Sequence, residues 1–169
     1  LDVPADAEIV IEGTIDPRNM STDGPFAEYT GYYGEGMKPC YLIQVTAMTM
    51  RKDAIYHDLD PAHREHNLSC ALPFESNVYD FVNKAVPTVK AVHFPPSGGC
   101  VLHIYVSIKK RVSGEGKFAG LAALAGEPNA KLAVVVDEDI DIYNEEEVLW
   151  AIATRVTADR DISIIPDVT

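Results

Sequence analysis

The sequence contains few cysteines, few basic residues and no long hydrophobic run. Only Cys40, Cys70 and Cys100 carry thiols among its 169 residues, and their wide spacing matches no metal or redox motif. Free thiols in a reducing cytoplasm are therefore predicted. No apolar stretch approaches the roughly 20 residues that a membrane-spanning helix requires, so an integral membrane protein is not expected.

Basic residues are scarce relative to acidic ones. The 14 Lys and Arg stand against 26 Asp and Glu, which gives a formal charge of -12 at pH 7. Such a chain repels the phosphates of nucleic acids and anionic membrane surfaces, so neither is a predicted partner. The acidity is instead typical of a well-solvated globular protein, for which a hydrophobic fraction of 47% is ordinary.

The two ends of the sequence predict a piece of a longer protein. Leu1 is not an initiator methionine, no signal peptide follows it, and the apolar run at residues 161–169 stops without a cap or a polar tail. The remainder of the parent polypeptide is therefore an expected partner of this chain.

Hydrophobic periodicity predicts alternating strands and helices. Strand patterns cover residues 7–13, 40–51, 88–94, 101–108, 131–136 and 162–165, with residues 54–57 extending or pairing with the second. Helix patterns cover residues 61–70, 74–84, 116–126 and 144–155, with Asn144 as an N-cap and Gly126 as a C-terminal cap. Residues 14–39 have no period and are predicted to form one long functional loop. This order predicts an α/β fold in which a mixed sheet lies between helix layers.

The predicted loop carries the most informative chemistry. Asp23 and Glu28 lie five residues apart and flank a Gly-Pro turn and an apolar residue, Phe26. If burial of Phe26 fixes the loop, a carboxyl group enclosed by tyrosines and apolar surface holds its proton more tightly, as a general acid must. The alternative is an ordinary turn at Asp23 with a solvated Glu28.

Two other clusters leave alternatives open. The acidic run at residues 137–141 has ligands suited to Ca²⁺ or Mg²⁺ but does not continue as an EF-hand, and a solvated strand end explains it equally. His57, His63 and His66 are compatible with a metal site, a substrate pocket or the surface. No His-Glu-x-x-His order is present, so a zinc-hydrolase motif is excluded.

Four segments of the sequence, taken in their order along the chain, indicate a protein family more specifically than any one of them does alone. They are residues 3–13, Asp23-Gly-Pro-Phe-Ala-Glu-Tyr-Thr-Gly-Tyr-Tyr-Gly34, residues 136–141 and residues 148–155. Together they resemble the UbiD-type family of decarboxylases, which use prenylated flavin mononucleotide (FMN). The resemblance implies that residues 1–57 are the end of a split β-barrel flavin-binding domain. Residues 58–169 would be an incomplete three-layer αβα domain with a mixed sheet, used to form a homodimer or a higher homo-oligomer.

The resemblance also implies roles for loop residues. The family's loop reads Glu-Gly-Pro-Phe-Gly-Glu, and its second Glu, which protonates the substrate carbon after CO₂ leaves, falls on Glu28. The first Glu falls on Asp23 and belongs to a network with an arginine expected before Leu1. Two departures stand out: Asp23 is one methylene shorter than Glu, and Ala27 replaces a glycine, which is costly if that position needs a positive φ.

Substrate and cofactor sites are implied in the same way. Tyr29 and His66 are substrate-pocket residues by family position, and the substrate is a small carboxylic acid. The implied cofactors are prenylated FMN, Mn²⁺ and K⁺, with ligands expected upstream of this chain, and a flavin-contacting lysine is expected after Thr169.

Three functions therefore remain open. The resemblance implies a reversible non-oxidative decarboxylase and carboxylase of aromatic or α,β-unsaturated acids, with Glu28 as the proton donor. The two departures in the loop favour a non-catalytic assembly module instead. A two-carboxylate hydrolase would require Asp23 and Glu28 to face each other across a sugar cleft.

Overall fold

The structure is a computed structural model that describes residues 2–34 and 36–167. The chain divides into two compact units, Leu1–Ala62 and His63–Thr169. The first unit contains a pair of long strands with their connecting loop, and the second contains a three-stranded mixed sheet with helices. The predicted α/β fold class is confirmed.

The first unit is built on two antiparallel strands, β1 (Ile9–Asp23) and β2 (Lys38–Met50). β1 continues far into the segment that the sequence predicts as a loop, so that prediction was wrong at its N-terminal end. Proline normally interrupts a ladder because it has no N–H. Here a register irregularity between Ile15 and Met20 takes up Pro17 and its neighbours, and pairing resumes beyond it.

The connection between these strands, from Asp23 to Lys38, is therefore shorter than the predicted loop. Residues 54–57, predicted to extend or pair with the second strand, form no strand; the Ile55 N–H donates instead to the Glu8 carboxylate at 3.0 Å. None of the described residues of this unit is buried. Its apolar side chains are therefore not enclosed within the unit.

The second unit begins with one long helix, α1 (Arg64–Ala85). The sequence predicts two shorter helices, at residues 61–70 and 74–84. Pro73 lies between them, and a proline in a helix interior costs about 3 kcal/mol. That prediction of a break was wrong. Ala71, Val78 and Val82 are buried along one face of α1, and tertiary packing of such a face supplies most of a helix's stability in proteins.

Three strands follow, β3 (Val89–His93), β4 (His103–Ile108) and β5 (Leu132–Asp137). β3 and β4 pair antiparallel, as the short connection through the 3-10 turn Pro96–Gly98 predicts. β4 and β5 pair parallel, so β4 is the central strand of a mixed sheet.

Helices cover both faces of this sheet. α2 (Glu115–Gly126) packs with α1 on the face that carries Ile104. α3 (Glu145–Arg155) covers the opposite face, where Val148 packs in a cluster with Tyr105. Because neighbouring residues of a strand point to opposite faces, β4 supplies both cores, and the predicted three-layer αβα arrangement is confirmed.

Element ends agree with the sequence less well. Asn144 caps α3 as predicted, but Gly126 is the last residue of α2 and Glu127 occupies the cap position. Residues 162–165 form no strand; they follow a short helix, α4 (Ala158–Asp161), and have no ladder partner among the described residues. Strand propensity without a partner does not make a strand. No helix among the described residues has the length and apolar character to cross a membrane.

Candidate functional site

The candidate site of the first unit lies in residues 26–34, which we call the loop tip. Three backbone hydrogen bonds close it into a small hairpin: Gly34 N–H to Phe26 O at 2.9 Å, Glu28 N–H to Tyr32 O at 2.8 Å, and Gly31 N–H to Glu28 O at 2.9 Å. Gly31 has a φ of 88°, a left-handed conformation that favours glycine. The loop tip is therefore braced by its own backbone.

Glu28 lies in the loop tip with its side chain exposed to solvent. Its side chain runs over Gly34: a Cβ placed on Gly34 would lie 2.5 Å from the Glu28 Oε1 and 2.8 Å from its Cγ. The described residues do not supply the dry surroundings that the sequence predicts for this carboxylate. That shelter therefore depends on other polypeptide and stays a prediction.

Asp23 ends β1 and is also exposed. Its Oδ1 accepts the N–H of Gly24 at 2.9 Å, and the Gly24–Pro25 peptide bond is cis. Ala27 does not have a positive φ and instead forms a β bridge with Tyr33. The backbone strain that an alanine would cause at a left-handed position therefore does not arise at this departure from the family loop.

The other predicted site residues differ in their surroundings. Tyr29 is half-buried, whereas Phe26, expected to anchor the loop by burial, is 57% exposed within this chain. His66 is half-buried in α1 and belongs to the second unit. The structure thus places Asp23 at the end of β1 and Glu28 and Tyr29 in the loop tip that follows. Hydrogen bonding rather than burial of Phe26 fixes the shape of the loop tip.

The acidic run at residues 137–141 is balanced by cationic side chains. Its ion pairs join Glu138 to Lys90 and Lys109, at 3.6 Å each, and Asp139 to Arg155, at 2.7 Å. Hydrogen bonds from Arg155 hold the pKa of Asp139 below its ordinary value. These pairs supply the counter-charge that a divalent cation would provide, and within residues 2–34 and 36–167 no three His, Cys, Asp or Glu cluster as metal ligands.

One polar network in the second unit has no signal in the sequence pattern. The Glu75 carboxylate lies 2.8 Å from His93 Nδ1 and accepts the Phe94 N–H at 3.1 Å, while the His93 ring lies 4.9 Å from that of Tyr143. The network therefore ties α1 to the end of β3. Its partners are too far apart in sequence for any short motif to reveal them.

A large groove of about 910 Å³ lies along the outer edge of β5. Four cationic residues are among those that line it: Lys110, Lys117, Arg155 and Arg160. None of the four predicted site residues lines this groove or the smaller one of about 300 Å³ beside residues 3–10 and 49–51. This groove and the predicted chemistry are therefore separate, and the carboxylates Asp23 and Glu28 remain the better candidate site.

Two family models match consecutive parts of the chain. The Rift-related domain of 3-octaprenyl-4-hydroxybenzoate carboxy-lyase matches residues 1–63. The C-terminal domain of the same enzyme matches residues 67–169. Between them the two models cover nearly the whole sequence.

Curated relatives match over almost all of this chain but are much longer. The anhydromevalonate phosphate decarboxylase of Methanothermobacter thermautotrophicus is 45% identical over 166 residues, which cover 98% of this chain and 39% of that protein. The enzyme of the same name from Methanosarcina mazei is 43% identical over 162 residues, 96% of this chain and 38% of its own length. The chain therefore spans about two-fifths of these relatives.

Solved structures show the same pattern. An evolved dimeric form of the UbiD-class enzyme HmfF from Pelotomaculum thermopropionicum, in complex with prFMN, has a TM-score of 0.95 and 46% identity, covering 99% of this chain and 39% of that one. Apo 3,4-dihydroxybenzoic acid decarboxylase (AroY) from Klebsiella pneumoniae has a TM-score of 0.89 and 34% identity, and the match covers 96% of this chain and 36% of that one.

Proposed function

Because the chain belongs to the UbiD family of carboxy-lyases, we propose that it is part of a reversible non-oxidative decarboxylase and carboxylase that uses prenylated FMN. Its substrate would be an aromatic or α,β-unsaturated carboxylic acid, with Glu28 as the proton donor. The names of the relatives support decarboxylation, and the complex of HmfF with prFMN supports the flavin. We also propose the division into a flavin-binding part at residues 1–57 and an oligomerisation part at residues 58–169.

The loop tip has side chains that suit the ring of a flavin. Phe26, Tyr32 and Tyr33 are 57%, 71% and 74% exposed, and aromatic side chains pack well against a planar ring. Glu28 in the loop tip and Asp23 at the end of β1 carry carboxylates, which repel a phosphate. We therefore assign the loop tip to the ring and the reacting carbon. The flavin phosphate, Mn²⁺ and K⁺ would be held by the remainder of the parent polypeptide.

In the proposed decarboxylation, this chain supplies one proton to the substrate carbon. Prenylated FMN supplies an electron sink when the bond between the substrate carbon and its carboxylate breaks. The bonding electron pair stays on that carbon as CO₂ leaves, and the Glu28 carboxyl transfers its proton there to form the new C–H bond. Glu28 is left as a carboxylate and regains a proton from water; in the carboxylation direction it accepts the proton instead.

Three other residues would support that step. Asp23 would hold the arginine of the parent polypeptide that the resemblance implies, since a carboxylate and a guanidinium form paired hydrogen bonds. Tyr29 adjoins Glu28 in sequence and would line the substrate pocket. His66, which belongs to the second unit, is the other proposed substrate-binding residue, since an imidazole suits a hydrogen bond to a phenolic hydroxyl.

The assignment of Glu28 is tested by Glu28→Gln in the full-length, cofactor-loaded enzyme. Glutamine keeps the shape of the side chain but has no acidic proton, so turnover is expected to fall about 10²–10⁴-fold. The flavin absorption spectrum should stay that of the wild type. Glu12→Gln, at an exposed position of β1, is the matched control and should retain full turnover. Near-wild-type decarboxylation by Glu28→Gln would contradict the proposal.

A non-catalytic assembly module is the second candidate. It is favoured by the exposure of Glu28 and by exposed apolar side chains on the second unit, which include Phe118, Leu149 and Trp150. Such a module would sediment as a homodimer and never take up the flavin, even with the N-terminal part supplied. The two-carboxylate hydrolase is set aside, because Asp23 at the end of β1 and Glu28 in the loop tip belong to one short segment rather than to opposite walls of a cleft.

A further inference from the structure

Gly34 occupies an unusual position in the loop tip. In the hairpin Glu28 lies opposite Tyr32, so Gly34 is its diagonal neighbour, close enough for side chains to interact. The Glu28 side chain fills the space that a side chain at position 34 would need. A Cβ there would lie 2.5 Å from Oε1, 2.8 Å from Cγ and 3.1 Å from Cδ of Glu28.

We propose that Gly34 is a positioning residue for Glu28, because its missing side chain leaves the space in which the carboxyl group lies. This inference rests on the proposed function and deepens it. It assigns a role to a glycine that local sequence reasoning leaves unexplained.

The backbone does not require glycine at position 34. Gly34 is absent from the glycines with positive φ, so an alanine fits its conformation. Its one described backbone bond, from its N–H to the Phe26 carbonyl, is available to any residue except proline. The effect of a methyl group at this position would therefore come from its overlap with the Glu28 side chain.

The methyl group would move the carboxyl group without unfolding the loop. The atoms in conflict are Cγ, Cδ and Oε1 of a flexible, solvent-exposed side chain, which relieves the overlap by changing rotamer. Proton transfer needs donor and acceptor about 2.6–3.2 Å apart, and a misplacement of about 1 Å costs up to about 10²-fold in rate. The expected defect is therefore in catalysis and not in folding.

The test compares Gly34→Ala with Gly36→Ala in the full-length, cofactor-loaded enzyme. A Cβ at Gly36 meets nothing within 4 Å, so the same substitution two residues away is a matched control. Gly34→Ala should lower kcat at least about tenfold, leave KM within about twofold and leave the melting temperature and flavin spectrum unchanged. Gly36→Ala should behave as the wild type. Equal kcat values for the two variants would overturn the inference.

A double variant tests whether Gly34 acts through Glu28. If it does, Gly34→Ala adds no further loss to Glu28→Gln, because the group being positioned has already lost its proton. The positioning role would be overturned if Gly34→Ala still lowered kcat tenfold in the Glu28→Gln background. It would also be overturned if the loss of kcat in Gly34→Ala were accompanied by a lower melting temperature. Failure of the proposed function is distinguishable, since Glu28→Gln alone would then be active. An inactive Glu28→Gln with a fully active Gly34→Ala would reject only the role of Gly34.

Discussion

Glu115 organises the basic loop between β4 and α2 with a single carboxylate. Its side chain is 9% exposed, and Oε2 accepts the N–H groups of Arg111 and Val112 at 2.6 and 3.3 Å. Oε1 accepts two hydrogen bonds from the Arg111 guanidinium, at 3.0 and 2.8 Å. The backbone hydrogen bond from Arg111, followed by that guanidinium, lowers the pKa of Glu115 from its ordinary 4.5.

This lowered pKa gives the second unit a defined dependence on acid. A carboxyl group whose folded pKa lies below its unfolded value stabilises the fold fully above pH 4.5, and that stability is lost as the pH falls through the folded pKa. Glu115→Gln should therefore have a lower melting temperature than the wild type at pH 7. When the pH falls below 4.5, the melting temperature of the variant should drop by less than that of the wild type. The exposed Asp80→Asn in α1 is the control, and an equal change of both melting profiles would contradict the prediction.

At the scale of the elements, α2 ends against α1 at Gly126. A Cβ at this position would lie 3.2 Å from the Cα and Cγ2 of Val78 and from the Cβ of Phe81. The Gly126 carbonyl accepts a hydrogen bond from Asn77 Nδ2 at 2.9 Å, which fixes the approach of the two helices. Gly120, in the middle of α2, differs: a Cβ there would make an ordinary contact of 3.5 Å with Val135 Cγ2.

These two glycines predict opposite effects of the same substitution. Gly120→Ala should stabilise the protein by about 0.5–1 kcal/mol, because alanine loses less backbone entropy in a helix. Gly126→Ala should destabilise it by about 1 kcal/mol, because overpacking against the Val78 backbone outweighs that gain. Denaturant unfolding monitored by a signal from the second unit measures both. Equal stabilisation by the two substitutions would contradict this prediction, because it would mean that α1 moves away from the added methyl group without a loss of stability.

At the scale of the whole molecule, the buried residues among positions 2–34 and 36–167 are confined to the second unit. The core residues that the structure describes lie in the second unit, where Phe94, Ile104 and Val82 are fully buried. In the first unit the described side chains of β1 and β2 are half-buried at most, including large apolar ones such as Ile43. A two-stranded hairpin is marginally stable on its own, so this unit needs further polypeptide to cover it.

This asymmetry predicts which backbone amides are protected when residues 1–169 are studied alone. Amides of β4 should exchange slowly with deuterium, because exchange there requires opening of the buried sheet, whereas those of β1 and β2 should exchange quickly. In the full-length protein both should be slow. Slow exchange of β2 in the isolated chain, measured by mass spectrometry of its peptides, would contradict this expectation.

The sequence by itself determined the family, the α/β class, the three-layer second unit and the cap at Asn144. These follow from ordered motifs and local periodicity, which lie within short stretches of chain and need no knowledge of distant contacts. The two carboxylates at Asp23 and Glu28 were recognisable for the same reason, since both belong to one motif.

Only the tertiary structure decided where several elements continue or stop. α1 runs through Pro73 because its buried face packs on the core, and β1 continues because β2 pairs with it. Residues 162–165 do not form a strand, since no strand among the described residues pairs with them. The contact of Gly34 with Glu28 likewise exists only once the loop tip has closed. Each of these outcomes depends on the free energy of packing or pairing between residues that the local pattern does not connect.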